Sequence, residues 1–121
     1  MNVRNVERES SLGEAIEVAA TAAQRARGLL GRECLNDGQG LMFKGCSSLH
    51  TFFMSFAIDI LFVDKHGKVL KKAVAVHPFK LVRAPLRAYY AIELPVGVIE
   101  NSGTQVGDHL DFGEEEYALA A

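Results

Sequence analysis

Residues 46–64 read CSSLHTFFMSFAIDILFVD, the longest nearly uncharged run in the chain. Set within it are a thiol, an imidazole and a carboxylate: Cys46, His50 and Asp59. An apolar run interrupted this sparingly reads as core strands with polar groups set among them. A polar group buried in that way costs free energy unless it is partnered. Two-residue alternation places His50, Phe52 and Met54 on one face of a strand over residues 50–54. Residues 58–63, IDILFV, are apolar on both faces and predict a strand covered on both sides. Asp64-Lys65-His66-Gly67 is a hairpin connection into a further strand over 68–76, which His77-Pro78 ends.

Working outward toward the N-terminus, Leu41-Met42-Phe43 is a short apolar strand. ECLNDGQG over 33–40 is loop chemistry. TAAQRARGLLGR over 21–32 predicts a helix over 22–30, capped by Thr21 and ended by Gly31. AIEVAA over 15–20 alternates weakly and suits a first strand, while the polar residues 1–13 read as a flexible N-terminal segment. In the other direction, residues 78–88 carry two prolines and three basic residues and read as a surface excursion. YYAIEL over 89–94 is a strand, 98–102 a helical turn before Gly103, and 109–112 a last strand. The acidic residues 114–121 form a solvated tail. These elements predict one domain over 14–113 of the α+β class. Its centre is a mainly antiparallel curled sheet or small β-barrel of about seven short strands, with one covering helix.

The bulk numbers bound the function. The chain has 121 residues, 49% hydrophobic and 23% charged, so it is long enough for a real core. Its 13 basic and 15 acidic residues leave a net charge of −2, which lacks the electrostatic footprint of a general nucleic-acid binder. No apolar run reaches the roughly 20 residues that span a bilayer. The start, MNVRNVERESS, has no apolar core of a signal peptide, so a cytoplasmic location is expected. Cys34 and Cys46 are too few for a disulfide framework and are expected as free thiols. No close Cys/His cluster of the structural-zinc kind is present, and the sequence does not identify a cofactor.

RARGLLGR, GLMF, HTFFMSFAIDILFVD, HGKVL, AIELPVG and VGD, met in this order between residues 18 and 112, resemble the domain of unknown function 192 family. The resemblance implies a compact β-rich domain with a helix and a pocket, but no particular reaction. Ser55 stands where relatives commonly have a basic residue or Asn, and Ala57 where they commonly have Pro. The pocket implied is therefore less cationic than in typical relatives, which favours a neutral or weakly polar ligand over a phosphate.

Asp59 is expected to be buried and to meet Arg27, Arg32 or loop backbone. His50 suits a satisfied core histidine or a pocket group. Cys46, His50 and Asp59 are also the ingredients of nucleophilic catalysis and of a metal site. Glu93 reads as a strand-end glutamate facing solvent or bonding the next turn. The expected ligand site is a concavity bounded by Arg27, Arg32, His50 and Asp59, with Cys46 at its rim. The leading function is a small binding or accessory module. The alternatives are a thiol- or carboxylate-dependent hydrolase and a structural domain that offers a sheet edge or the 78–88 loop to a protein partner.

Overall fold

The computed structural model describes residues 1–19, 32–45, 48–52 and 54–113. The predicted helix 22–30 and the acidic tail lie outside these residues, as do Arg27 and Cys46.

The central element is a five-stranded sheet in the order β3-β4-β9-β6-β7, made of β3 (Ala15–Val18), β4 (Gln39–Lys44), β9 (Tyr90–Pro95), β6 (Ile58–Val63) and β7 (Val69–Val76). All its pairings are antiparallel except β3 with β4, which is parallel. β6 and β9 lie inside the sheet and every residue of both is buried, as the two-sided apolar pattern of IDILFV requires. The Asp64–Gly67 turn joins β6 to β7. The Asp64 carboxylate accepts the amides of His66 (2.8 Å) and Lys68 (2.9 Å), and Gly67 supplies a positive φ of 89°.

Alternation sorts the central strands onto two cores. Met42, Leu61, Val63, Tyr90, Ile92 and Leu94 face one. That face is covered by a three-stranded sheet, β10-β1-β2, and by a short helix, α1 (Val98–Ser102). Here β1 is Val3–Asn5, β2 is Ser10–Gly13 and β10 is Leu110–Asp111. Leu41, Phe43, Ile58, Ile60, Phe62 and Ala91 face the second core. A two-stranded sheet of β5 (Ser48–His50) and β8 (Leu81–Arg83) packs there through Leu49 and Val82, together with Met54 and Phe56.

Ten strands are present among the described residues, against the seven expected, and none of the three sheets closes into a barrel. The coarse reading holds: a mostly β, α+β architecture with a short helix. Three local expectations fail for identifiable reasons. Residues 1–13 are not a loose segment, because Val3, Asn5 and Leu12 are buried and β1 lies hydrogen-bonded between β2 and β10. The 78–88 excursion contains β8. The strand expected over 50–54 stops at His50, because Thr51 turns its hydrogen bonds toward residues 77–80. His50 and Phe52 therefore point outward while Met54 is buried.

Candidate functional site

Asp59 is fully buried on β6, on the face of the sheet that carries Leu61 and Val63. One carboxylate oxygen accepts the Ala75 amide at 2.9 Å. The other accepts the amides of Gly97 at 3.1 Å and Ile99 at 3.2 Å. Both contacts follow from local irregularities. Ile58 pairs with Val76 and Ile60 with Ala73, so Asp59 alone opposes Val74 and Ala75. Ala75 takes a φ of 51° in this bulge and its amide leaves the ladder. The Gly97 and Ile99 amides are the open donors at the start of α1, which has no cap from its own chain neighbour. Of the partners expected for Asp59, loop backbone is the one found; Arg32 is engaged elsewhere.

His50 stands on β5, in the layer over the opposite face of the central sheet, exposed and stacked on Phe52 with ring centres 5.3 Å apart. A single cleft lined by both His50 and Asp59 is therefore not formed: the five-stranded sheet lies between them. Arg32 does lie on the second-core side. Its guanidinium donates to Glu17 Oε2 at 3.1 Å, and its carbonyl accepts the Ser55 hydroxyl at 2.9 Å. Cys34 is an exposed free thiol whose Sγ lies 3.6 Å from Asn36 Oδ1.

The residue that sequence reasoning missed is Glu93. It sits mid-strand on β9 with Ile60 and Leu41 directly opposite on its two neighbours, and it is only 5% exposed. Glu17 follows Leu41 in the same cross-strand row, so the row runs Glu17, Leu41, Glu93, Ile60 across three boundaries. At strand spacing, Glu17 and Glu93 stand about 10 Å apart. Arg32 binds the exposed Glu17 and acts on Glu93 through its field alone. Burial pushes the Glu93 carboxyl up to about 8, and the Arg32 charge pulls the other way without prevailing. Among the described residues the Glu93 carboxyl has no hydrogen-bond partner. A value near 8 favours the protonated acid at neutral pH, a donor set among the apolar side chains of the sheet. The available signal was the one used for Asp59, an acid interrupting an apolar run.

This architecture, a mostly β domain with the two-sided sheet at its centre, defines a class shared with known proteins. The chain belongs to the DUF192 family, described as an uncharacterized ACR, whose pattern it matches over residues 4–112. A UPF0127 protein of Thermococcus sibiricus is 34% identical over 84% of this chain and 68% of its own length. A UPF0127 protein of Pyrococcus abyssi is 29% identical over 80% of this chain and 85% of its own. Two solved structures share the fold. A Novosphingobium aromaticivorans protein of unknown function superposes with a TM-score of 0.77 at 22% identity, over 92% of this chain and 82% of that one. A Sinorhizobium meliloti protein, described as a candidate transcription regulator, gives 0.78 at 20% identity, over 91% and 89%.

Proposed function

We propose that this protein is a small-molecule binding or accessory module whose ligand meets the second-core face of the central sheet at Glu93 and Arg32. The observation that carries this reading is the Glu93 carboxyl, buried on an interior strand with no hydrogen-bond partner among the described residues. The carboxyl keeps only a narrow contact with solvent, so folding strips most of its hydration without supplying a hydrogen bond from any described residue, and that costs free energy. A ligand oxygen that accepts the Glu93 proton recovers that cost on binding. A carbonyl, amide or hydroxyl matches this geometry and suits the apolar lining of Leu41, Ile60 and Ala91. Arg32, already paired with Glu17, adds polarity without a free positive charge for a phosphate.

The test is a fragment screen by two-dimensional NMR with neutral oxygen-bearing compounds, comparing the wild type with Glu93→Leu. Binders are expected to shift Glu93, Leu41 and Arg32 resonances and to lose affinity in Glu93→Leu. Binders that map elsewhere, or that ignore the substitution, would refute the site. Turnover of a bound ester or amide would instead support the hydrolase reading.

A further inference from the structure

The outer face of the β5–β8 layer carries a feature independent of Glu93. In this antiparallel pair Leu49 and Val82 point into the second core, leaving Ser48, His50, Leu81 and Arg83 on the outside. His50 opposes Leu81 and stacks on Phe52, and Phe52 in turn meets Phe79 with ring centres 6.4 Å apart. Phe52, Phe79 and Leu81 are 40%, 65% and 60% exposed, so they form one continuous apolar stripe on the surface. A few large apolar side chains scattered over a surface need no explanation, but a contiguous patch does.

The stripe is also held in place at a cost. Phe79 has a φ of 64°, a backbone region that bulky side chains rarely occupy and that strains the chain. Thr51, fully buried, supports it. Its carbonyl accepts the Phe79 amide (3.0 Å), its hydroxyl accepts the Lys80 amide (2.9 Å) and donates to the His77 carbonyl (2.7 Å), and its amide donates to the Lys80 carbonyl (2.9 Å). Strain retained to present an aromatic ring outward is what a recognition surface requires.

Charge identifies the occupant. Arg83 shares the outer face of the stripe, and Lys71 Nζ donates to the Arg83 carbonyl at 2.9 Å. Lys80 and Arg83 flank the stripe in sequence and both are exposed. We infer that the His50–Phe52–Phe79–Leu81 stripe is a docking surface for an acidic protein segment that carries an apolar anchor residue. An apolar centre with a rim of one charge is the anatomy of a protein interface, with anchor burial setting affinity and the rim setting on-rate and partner choice. Nucleic acid fits less well, because His50 and Phe52 stack on each other and spend ring faces that bases would use. A lipid surface fits less well, because these rings lie along a two-stranded sheet and stay half-covered.

Fluorescence anisotropy tests this on the full chain with a labelled twelve-residue peptide of alternating Glu and Leu or Phe. A Lys-for-Glu counterpart, oligo-dT and phosphatidylserine vesicles serve as competing probes. The acidic peptide is expected to bind, to weaken about tenfold between roughly 50 and 300 mM salt, and to weaken similarly in Lys80→Glu/Arg83→Glu. Phe79→Gly, which removes the ring and relieves the strain, should lose about tenfold in binding without lowering the melting temperature. Glu93→Leu, the variant expected to lose small-molecule binding, should bind the peptide as the wild type does, which separates this surface from the proposed ligand site. Equal binding of acidic and basic peptides, indifference to Phe79→Gly, no binding at all, or vesicles or oligo-dT competing for the stripe would each overturn the assignment.

Discussion

Three backbone amides converge on the Asp59 carboxylate, whereas the Glu93 carboxyl on the adjoining strand meets none among the described residues. Removing the first should therefore orphan three donors at a bulge and a helix start. Asp59→Ala is expected to cost about 3 kcal/mol or more in urea denaturation, and a change within error of zero would contradict the capping role. Glu93 works in the opposite sense. Its folded value of about 8 lies above the ordinary 4.5, so the folded state keeps a proton that the unfolded chain releases. Stability contributed at low pH is lost as pH rises from about 4.5 to 8, at roughly 1.4 kcal/mol per pH unit. Glu93→Gln should match the wild type near pH 4 and exceed it by a few kcal/mol at pH 8; parallel stability curves for the two proteins would remove the buried-acid argument. Both acids interrupt apolar runs in the same way. Asp59 was legible as buried because both its neighbours and the strand after it are apolar. Glu93 was not, because Pro95 and Gly97 close behind it suggested an exposed strand end, whereas β9 runs to Pro95 itself, deep in the sheet.

At the scale of elements, turn chemistry and alternation located β4, β6, β7, β9 and α1, since each is bounded by Gly, Pro or Asp-containing turns. The pairing of β3 beside β4 in parallel was not legible, because a parallel partner arrives through a long connection that leaves no local mark. β1 and β2 were missed because three- and four-residue strands are too short to show a period. The β3–β4–β9 contact is unusually close at Gly40. A Cβ there would lie 2.6 Å from Ile16 Cδ1 and 2.8 Å from the Glu93 carbonyl oxygen. The isoleucine tip can move, but the strand carbonyl cannot without breaking its ladder. Gly40→Ala should therefore destabilise the fold by about 2 kcal/mol and disturb amide resonances of β9 first. An unperturbed spectrum would show that the sheet spreads more freely than its packing implies.

For the molecule as a whole, the two ends of the described chain are fastened together. β1 pairs with β10, and Asn5 donates to Thr104 (3.0 Å) and Asp108 (3.1 Å). Asp108 also accepts Arg8 Nε at 2.9 Å and the Gln105 amide at 2.9 Å. The Arg8 hydrogen bond leads these contacts in holding the Asp108 carboxyl down to about 2. A depressed acid contributes stability that is present above about 4 and lost as pH falls toward 2. Asp108→Asn should be less stable at pH 7 and should lack part of the wild type's acid-induced loss; an unchanged acid limb would assign that loss to other groups. The same fastening bears on how the protein is made. A chain leaving the ribosome exposes Val3 and Asn5 roughly a hundred residues before Leu110 and Asp111 exist to pair with them, which at ordinary elongation rates is on the order of 5–20 seconds. At the end of that interval, with the other strands made, the first core still lacks one strand of its cover. A nascent chain arrested just ahead of Leu110 should remain open to protease along β1 and β2, and the next few residues to emerge should close it.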